Sequence, residues 1–106
     1  MKTVALSARQ GVYLFVIQKY MDKIGKPIKN IPFSIFEKAS KKEWYLNDDG
    51  CGQNPPVVIK STPSKDWQTV DSLVRKNVIF VNKRGYFSIN NGINLRIAAA
   101  DRWAGY

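Results

Sequence analysis

The sequence contains no histidine and a single cysteine, Cys51. Without imidazole there is no histidine-based acid–base catalysis, and most zinc chemistry is excluded. One thiol makes neither an internal disulfide nor a cysteine-based metal site, and its isolation fits a reducing compartment. Carboxylates are scarce, with 8 Asp and Glu in the whole chain. The nearest approach to a carboxylate pair is Asp48–Asp49, inside "NDDGCG". That string is turn chemistry, where Asp serves backbone hydrogen bonding, and it is too short and ligand-poor for an EF-hand loop. With no third carboxylate nearby and no glycine-rich phosphate loop, the sequence predicts neither an enzyme nor a bound cofactor. The longest apolar run, Val12–Ile17, falls far short of a membrane span or a signal-peptide core. A cytoplasmic protein is expected.

What is abundant is positive charge. Lys and Arg total 17, for a formal net charge of +9 over 106 residues. A length of this order is that of one domain, and 44 % hydrophobic residues suffice for a core. So basic a small domain points to an anionic partner: nucleic acid first, then a membrane surface or an acidic protein. The competing reading is a charge that only keeps the protein soluble.

Periodicity organises the chain. Residues 7–24 read as a first helix, with Ser7 and Gln10 as a capping box and Gly25 and Pro27 as a stop. Tyr13, Val16, Ile17, Tyr20 and Ile24 recur at helical spacing, widened by Val12 and Phe15. Residues 32–42 read as a shorter helix with Pro32 in its first position, Phe33, Phe36 and Ala39 on one face, and Lys38, Lys41 and Lys42 near its end. Residues 43–61 break the pattern, as a long loop or small hairpin in which "PVVIK" suits a short edge strand. Residues 63–76 form a third helix, capped by Thr62, started by Pro63, facing inward through Val70, Leu73 and Val74, and closed by a left-handed Asn77. "VIFV" and "YFSI" then alternate around "NKRG" as a β-hairpin. Residues 93–105 read as a terminal, Ala-rich helix whose first few residues also suit a strand. The fold class is therefore α+β, and the order helix, helix, helix, hairpin is that of a winged helix-turn-helix, which sets its third helix in the DNA major groove.

Two segments carry a family resemblance. "LSARQGVYLFVIQKYMDKIGKP" resembles the opening helix of the DNA-binding domain of LexA-type SOS repressors, and "TPSKDWQTVDSLVRKNVI" is similar to that family's recognition helix and its exit into the wing, with Asn77 where the family has Gly. The likeness spans somewhat under half of the chain. It departs from the family at residues 43–61, where the family's connection is short. It does not extend to the family's self-cleaving domain, so no Ser–Lys chemistry is carried over. The resemblance implies a third helix that reads bases through Thr62, Ser64, Lys65, Trp67 and Gln68, and a wing that meets phosphate through Lys83 and Arg84.

The residues support those roles to different degrees. Gln68 suits adenine N6 and N7 and Lys65 suits guanine O6 and N7, against the plain reading of a solvated helix face. Trp67 divides between core packing and contact with thymine methyl groups or the sugar backbone. Lys83 and Arg84, beside a glycine that already supplies turn freedom, reach phosphate or a narrow minor groove; the bland reading is a charged turn protecting a sheet edge. Arg9, Lys19, Lys23, Lys41 and Lys42 are secondary phosphate candidates, each more simply ordinary surface; Arg75 and Lys76 suit the helix dipole.

The expected function is sequence-specific binding of double-stranded DNA by a small transcriptional regulator of bacterial, phage or mobile-element origin. The alternative is a protein-interaction module that takes an acidic host or polymerase factor through Trp44, Tyr45 and Trp67. RNA binding needs Phe80, Tyr86 or Phe87 exposed on one sheet face, and their alternation suits core packing better. A homodimer through Trp103 and Tyr106 on the terminal helix suits paired half-sites.

Overall fold

The computed structural model describes residues 3–25, 28–44 and 58–97. Strand β1 (Thr3–Leu6) runs straight into helix α1 (Ala8–Ile24). At the junction Gln10 N–H donates to Ser7 Oγ (3.2 Å), and Ser7 N–H donates to Gln10 Oε1 (2.9 Å), so the capping box forms as the sequence specifies. Gly25 ends the helix at φ 71°, a left-handed conformation that glycine adopts without a Cβ penalty, and its N–H closes on the Met21 carbonyl. The buried face of α1 is wider and shifted from the predicted stripe. Ala8, Gly11, Val12, Tyr13, Leu14 and Ile17 are buried, Val16, Tyr20 and Ile24 are half-buried, and Phe15 is exposed.

Helix α2 (Ser34–Ala39) is shorter than the 32–42 segment that periodicity suggests. It has no side-chain cap at Phe33, and its last turn tightens: Lys41 N–H and Lys42 N–H reach back only three residues, to Lys38 and Ala39 carbonyls. Phe36 and Ala39 are buried as expected, whereas Phe33 is 38 % exposed. Residues 45–57, with Cys51 and the Asp48–Asp49 turn, lie outside the described residues. Val58–Lys60 are not in a strand, although Ile59 is buried.

Helix α3 (Pro63–Arg75) has Thr62 as its cap and Pro63 inside its first turn. Asp66, Thr69, Val70 and Leu73 recur at helical spacing and face inward. Asn77, at φ 62°, turns the chain left-handed, and Val78 N–H bonds to the Leu73 carbonyl across the end. The chain then enters β2 (Ile79–Val81), which pairs antiparallel with β3 (Phe87–Ile89) in the register Ile79↔Ile89, Phe80↔Ser88, Val81↔Phe87. Ile79 is buried and Phe87 and Ile89 are half-buried, whereas Phe80 and Val81 are exposed, so the alternation packs one face of the hairpin only in part.

Two pairings join segments whose partners the sequence does not mark. Ile28, between α1 and α2, forms an antiparallel bridge with Phe87, and Phe87 N–H donates to the Ile28 carbonyl (2.8 Å). The second replaces the expected terminal helix at its start: Asn94–Ile97 is a strand, β4, parallel to β1 in the register Thr3↔Asn94 to Leu6↔Ile97. A helix starting at residue 93 is thus corrected in favour of the strand that its first few residues also suit. Asn94–Ile97 has an extended partner, and the backbone groups of β1 are paired only if it stays extended. Residues 98–106, including Trp103 and Tyr106, lie outside the described residues.

Among the described residues the protein is therefore a small α+β fold with three helices and a small antiparallel sheet, plus the parallel β1–β4 pair. Helix α1 packs on both α2 and α3, and its Tyr13 ring stacks on Phe36 at 4.3 Å between centroids. Leu6, Val12, Ile17, Leu73, Val78 and Ile79 complete the fully buried apolar centre.

Candidate nucleic-acid interface

The first turns of α3 are fixed from beneath. Asp66 is 1 % exposed. Its Oδ1 accepts from the Tyr13 hydroxyl and from Arg9 Nη2 (3.3 Å), and its Oδ2 accepts from Ser61 Oγ (2.6 Å). Arg9 also donates from Nε to Thr69 Oγ1 (2.9 Å), from Nη1 to the Lys60 carbonyl (2.8 Å) and from Nη2 to Tyr13 Oη (2.7 Å). A buried carboxylate is costly unless it is paired and hydrogen-bonded, and here it has three donors. Burial, followed by the bond to Asp66, pushes the Tyr13 phenol well above its ordinary 10.0. The cluster joins α1, the Lys60–Ser61 approach and α3. The secondary role expected of Arg9, meeting phosphate, does not survive this geometry, because its guanidinium is occupied within the protein.

A second joint lies along the same two helices. Gln10 Nε2 donates to Ser72 Oγ (2.8 Å), and Lys76 Nζ donates to both Gln10 Oε1 and the Ala5 carbonyl (2.9 Å each). Lys76 is thus a tie to β1. Arg75 pairs with Asp71 one turn back, with Nε 2.9 Å from Oδ2. Gln10, which closes the capping box of α1, is therefore also a rivet between α1 and α3.

With Asp66, Thr69 and Val70 turned inward, Ser64, Lys65, Trp67 and Gln68 are turned out, and all four are exposed. Thr62 is exposed too, its Oγ1 accepting from Lys65 N–H at 3.4 Å. Trp67 is 58 % exposed, which removes the core-packing reading. Beside these residues, an open groove between α1 and α3 is lined by Arg9, Val58, Lys60, Lys65 and Gln68. Lys60 joins the face only through the approach to α3, and no periodicity in the sequence marks it.

The hairpin tip is similarly built. Asn82 Oδ1 accepts from the N–H groups of Arg84 (2.9 Å) and Tyr86 (3.0 Å), and Gly85 N–H closes on the Asn82 carbonyl (2.9 Å). Gly85 sits at φ 86°, where any other residue is strained. Lys83 and Arg84 are exposed. A third cation was missed by sequence reasoning. A Cβ on Gly85 would lie 3.6 Å from Lys29 Cε, so the stem of Lys29 lies along the tip. The Ile28–Phe87 bridge places it there. The only sequence cue is an Ile set between Pro27 and Lys29.

Comparison with protein-family models, with curated proteins and with solved structures returns no match. Among the described residues no helix is long and apolar enough to cross a membrane.

Proposed function

We propose that this protein is a winged-helix module that binds double-stranded DNA in a sequence-specific way, as a small transcriptional regulator of bacterial, phage or mobile-element origin. Helix α3 reads bases and the β2–β3 hairpin is the wing. The observation that carries the reading is the outward set Lys65, Trp67 and Gln68, on helical turns that the buried Asp66 pins to α1. A recognition helix needs a rigid mount, because base-edge hydrogen bonds tolerate little displacement. The bridge from Ile28 to Phe87 adds support, since it ties the segment between the first two helices to the hairpin. The net charge of +9 supplies attraction to a polyanion.

In this reading Lys29, Lys83 and Arg84 hold phosphate at the wing, Lys60 and Lys65 approach phosphate or a base edge beside α3, and Gln68 addresses adenine. Trp67 lays its ring against thymine methyl groups or sugar. The protein performs no catalysis in this role.

The test is binding to random duplex DNA at two salt concentrations, wild type against Lys83→Ala/Arg84→Ala. The wild type binds at low salt and weakens steeply as salt rises. The double variant binds more weakly, and its log–log salt slope is shallower by about 2, one for each lost phosphate contact. Absence of duplex binding at low salt overturns the function. Unchanged affinity in the double variant removes the wing from it.

A further inference from the structure

A second groove lies between α1 and α2, away from the residues that hold α3. Its floor is apolar: Val16 and Tyr20 from α1, Ile35 and Ala39 from α2. One wall is an aromatic pair, Phe15 and Trp44, in edge-to-face contact at 5.7 Å and 72°. Trp44 is locked by its Nε1–H bond to the Ala39 carbonyl (2.9 Å), so its one polar atom is used and its ring serves as surface. Phe15 is 46 % exposed, a large apolar group left open to water, with Lys19 Nζ 5.3 Å from its ring centre. Around this floor stand Lys19, Lys23, Lys38 and Lys42. None of these four ammonium groups has an ion-pair partner among the described residues. Among the described residues that line the groove, Glu43 is the one carboxylate.

We propose that this groove is a docking site for an acidic peptide segment of a partner protein, inserting one aromatic or branched aliphatic side chain beside Phe15 and Trp44. Charge complementarity selects the occupant. Four lysines around an apolar floor match a segment that alternates carboxylates with an apolar anchor. The apolar floor argues against a nucleic-acid backbone here, because phosphates gain nothing from Val16, Ile35 and Ala39. The residues of α1 that hold α3 are Arg9, Gln10 and Tyr13, so the groove is separate from the proposed DNA face, and the proposal stands independently of it.

The experiment is fluorescence anisotropy with three short labelled synthetic peptides: an acidic one with a central Phe, the same peptide with Ser for Phe, and a lysine-rich one with the Phe kept. The Phe-bearing acidic peptide binds, the Ser peptide binds roughly tenfold more weakly, and the lysine-rich peptide does not bind. Phe15→Ala and Lys38→Glu/Lys42→Glu, all at exposed positions, each weaken binding by a similar factor while circular dichroism confirms the fold. Lys83→Ala/Arg84→Ala leaves it unchanged. Equal affinity for the Phe and Ser peptides overturns the proposal, as does binding indifferent to both groove variants. Displacement of the bound peptide by duplex DNA also overturns it, by assigning the groove to the nucleic-acid surface.

Discussion

The phenol of Tyr13 donates its hydrogen bond to the carboxylate of Asp66 across 53 residues of sequence, in a site where neither side chain meets solvent. Through this one contact the middle of α1 sets the position of the first turns of α3. What α3 presents outward depends on what holds it inward.

Asp66→Ala therefore removes the acceptor shared by Tyr13, Arg9 and Ser61 and leaves the buried phenol without it, while Arg9, partly exposed, keeps its other acceptors. Losing a buried charged acceptor costs about 1.5–3 kcal/mol, and Tyr13→Phe, which keeps the ring on Phe36, costs about 1–2 kcal/mol. Urea unfolding of both single variants and the double variant measures this. The double variant is less destabilised than the sum, because the two changes remove one interaction.

The pH dependence has a definite sign. Tyr13 ionises above its ordinary 10.0 in the folded protein because burial and Asp66 oppose a phenolate. The stability this contributes is complete below pH 10 and falls as pH rises above it, by about 1.4 kcal/mol per pH unit until the folded phenol itself ionises. Stability measured between pH 8 and about pH 12 shows this decline in the wild type, and Tyr13→Phe flattens it. A profile unaltered by the substitution would remove Tyr13 as its source.

The exit of α3 depends on a left-handed residue. Asn77 at φ 62° also lends its carbonyl to Asn90 Nδ2 (2.8 Å). Asn77→Gly keeps both the conformation and the carbonyl, and changes thermal stability by less than about 1 kcal/mol. Asn77→Val places a β-branched side chain in that region and costs about 2 kcal/mol, read as a fall in Tm.

The two parts of the proposed DNA face separate by their effects. Gln68→Ala reduces discrimination among duplex sequences, by about 1–3 kcal/mol at one base position, with little change in salt slope. Lys29→Ala weakens all sequences alike and lowers the slope by about 1. Selection from a randomised duplex pool, followed by titration of the variants, distinguishes them. A Gln68→Ala protein with unaltered sequence preference argues against base reading by that residue.

Local signals carried most of the fold. The Ser7–Gln10 box, the Thr62–Pro63 start, the left-handed Asn77 and the Asn82–Gly85 turn each act within four residues of themselves, and each formed where the sequence placed it. The elements that could not be read depend on distant partners. "TVAL" is four residues with no alternation to mark it, and only Asn94–Ile97 makes it a strand. That partner precedes an Ala-rich run that suggests helix, and of the two readings open for Asn94–Ile97 the strand forms because β1 pairs with it. The candidate site divided the same way. The exposed residues of α3 follow from helical spacing, but Asp66 looks like any polar residue between Lys65 and Trp67. Its burial exists only because Arg9, Tyr13 and Ser61 converge on it. Lys29 escaped notice because the tip it lies along belongs to another part of the chain.

The pairing of Thr3 with Asn94 also sets an order in time. A ribosome making this chain releases β1 long before its partner exists, so the strand's backbone edge stays unpaired until Asn94–Ile97 has been made. The helices and the hairpin have all their residues by then, so the parallel pair closes after them. Proteolysis of stalled nascent chains, carrying a C-terminal linker long enough to bring Ile97 out of the exit tunnel, should accordingly find Thr3–Leu6 cleavable before that point and protected afterwards.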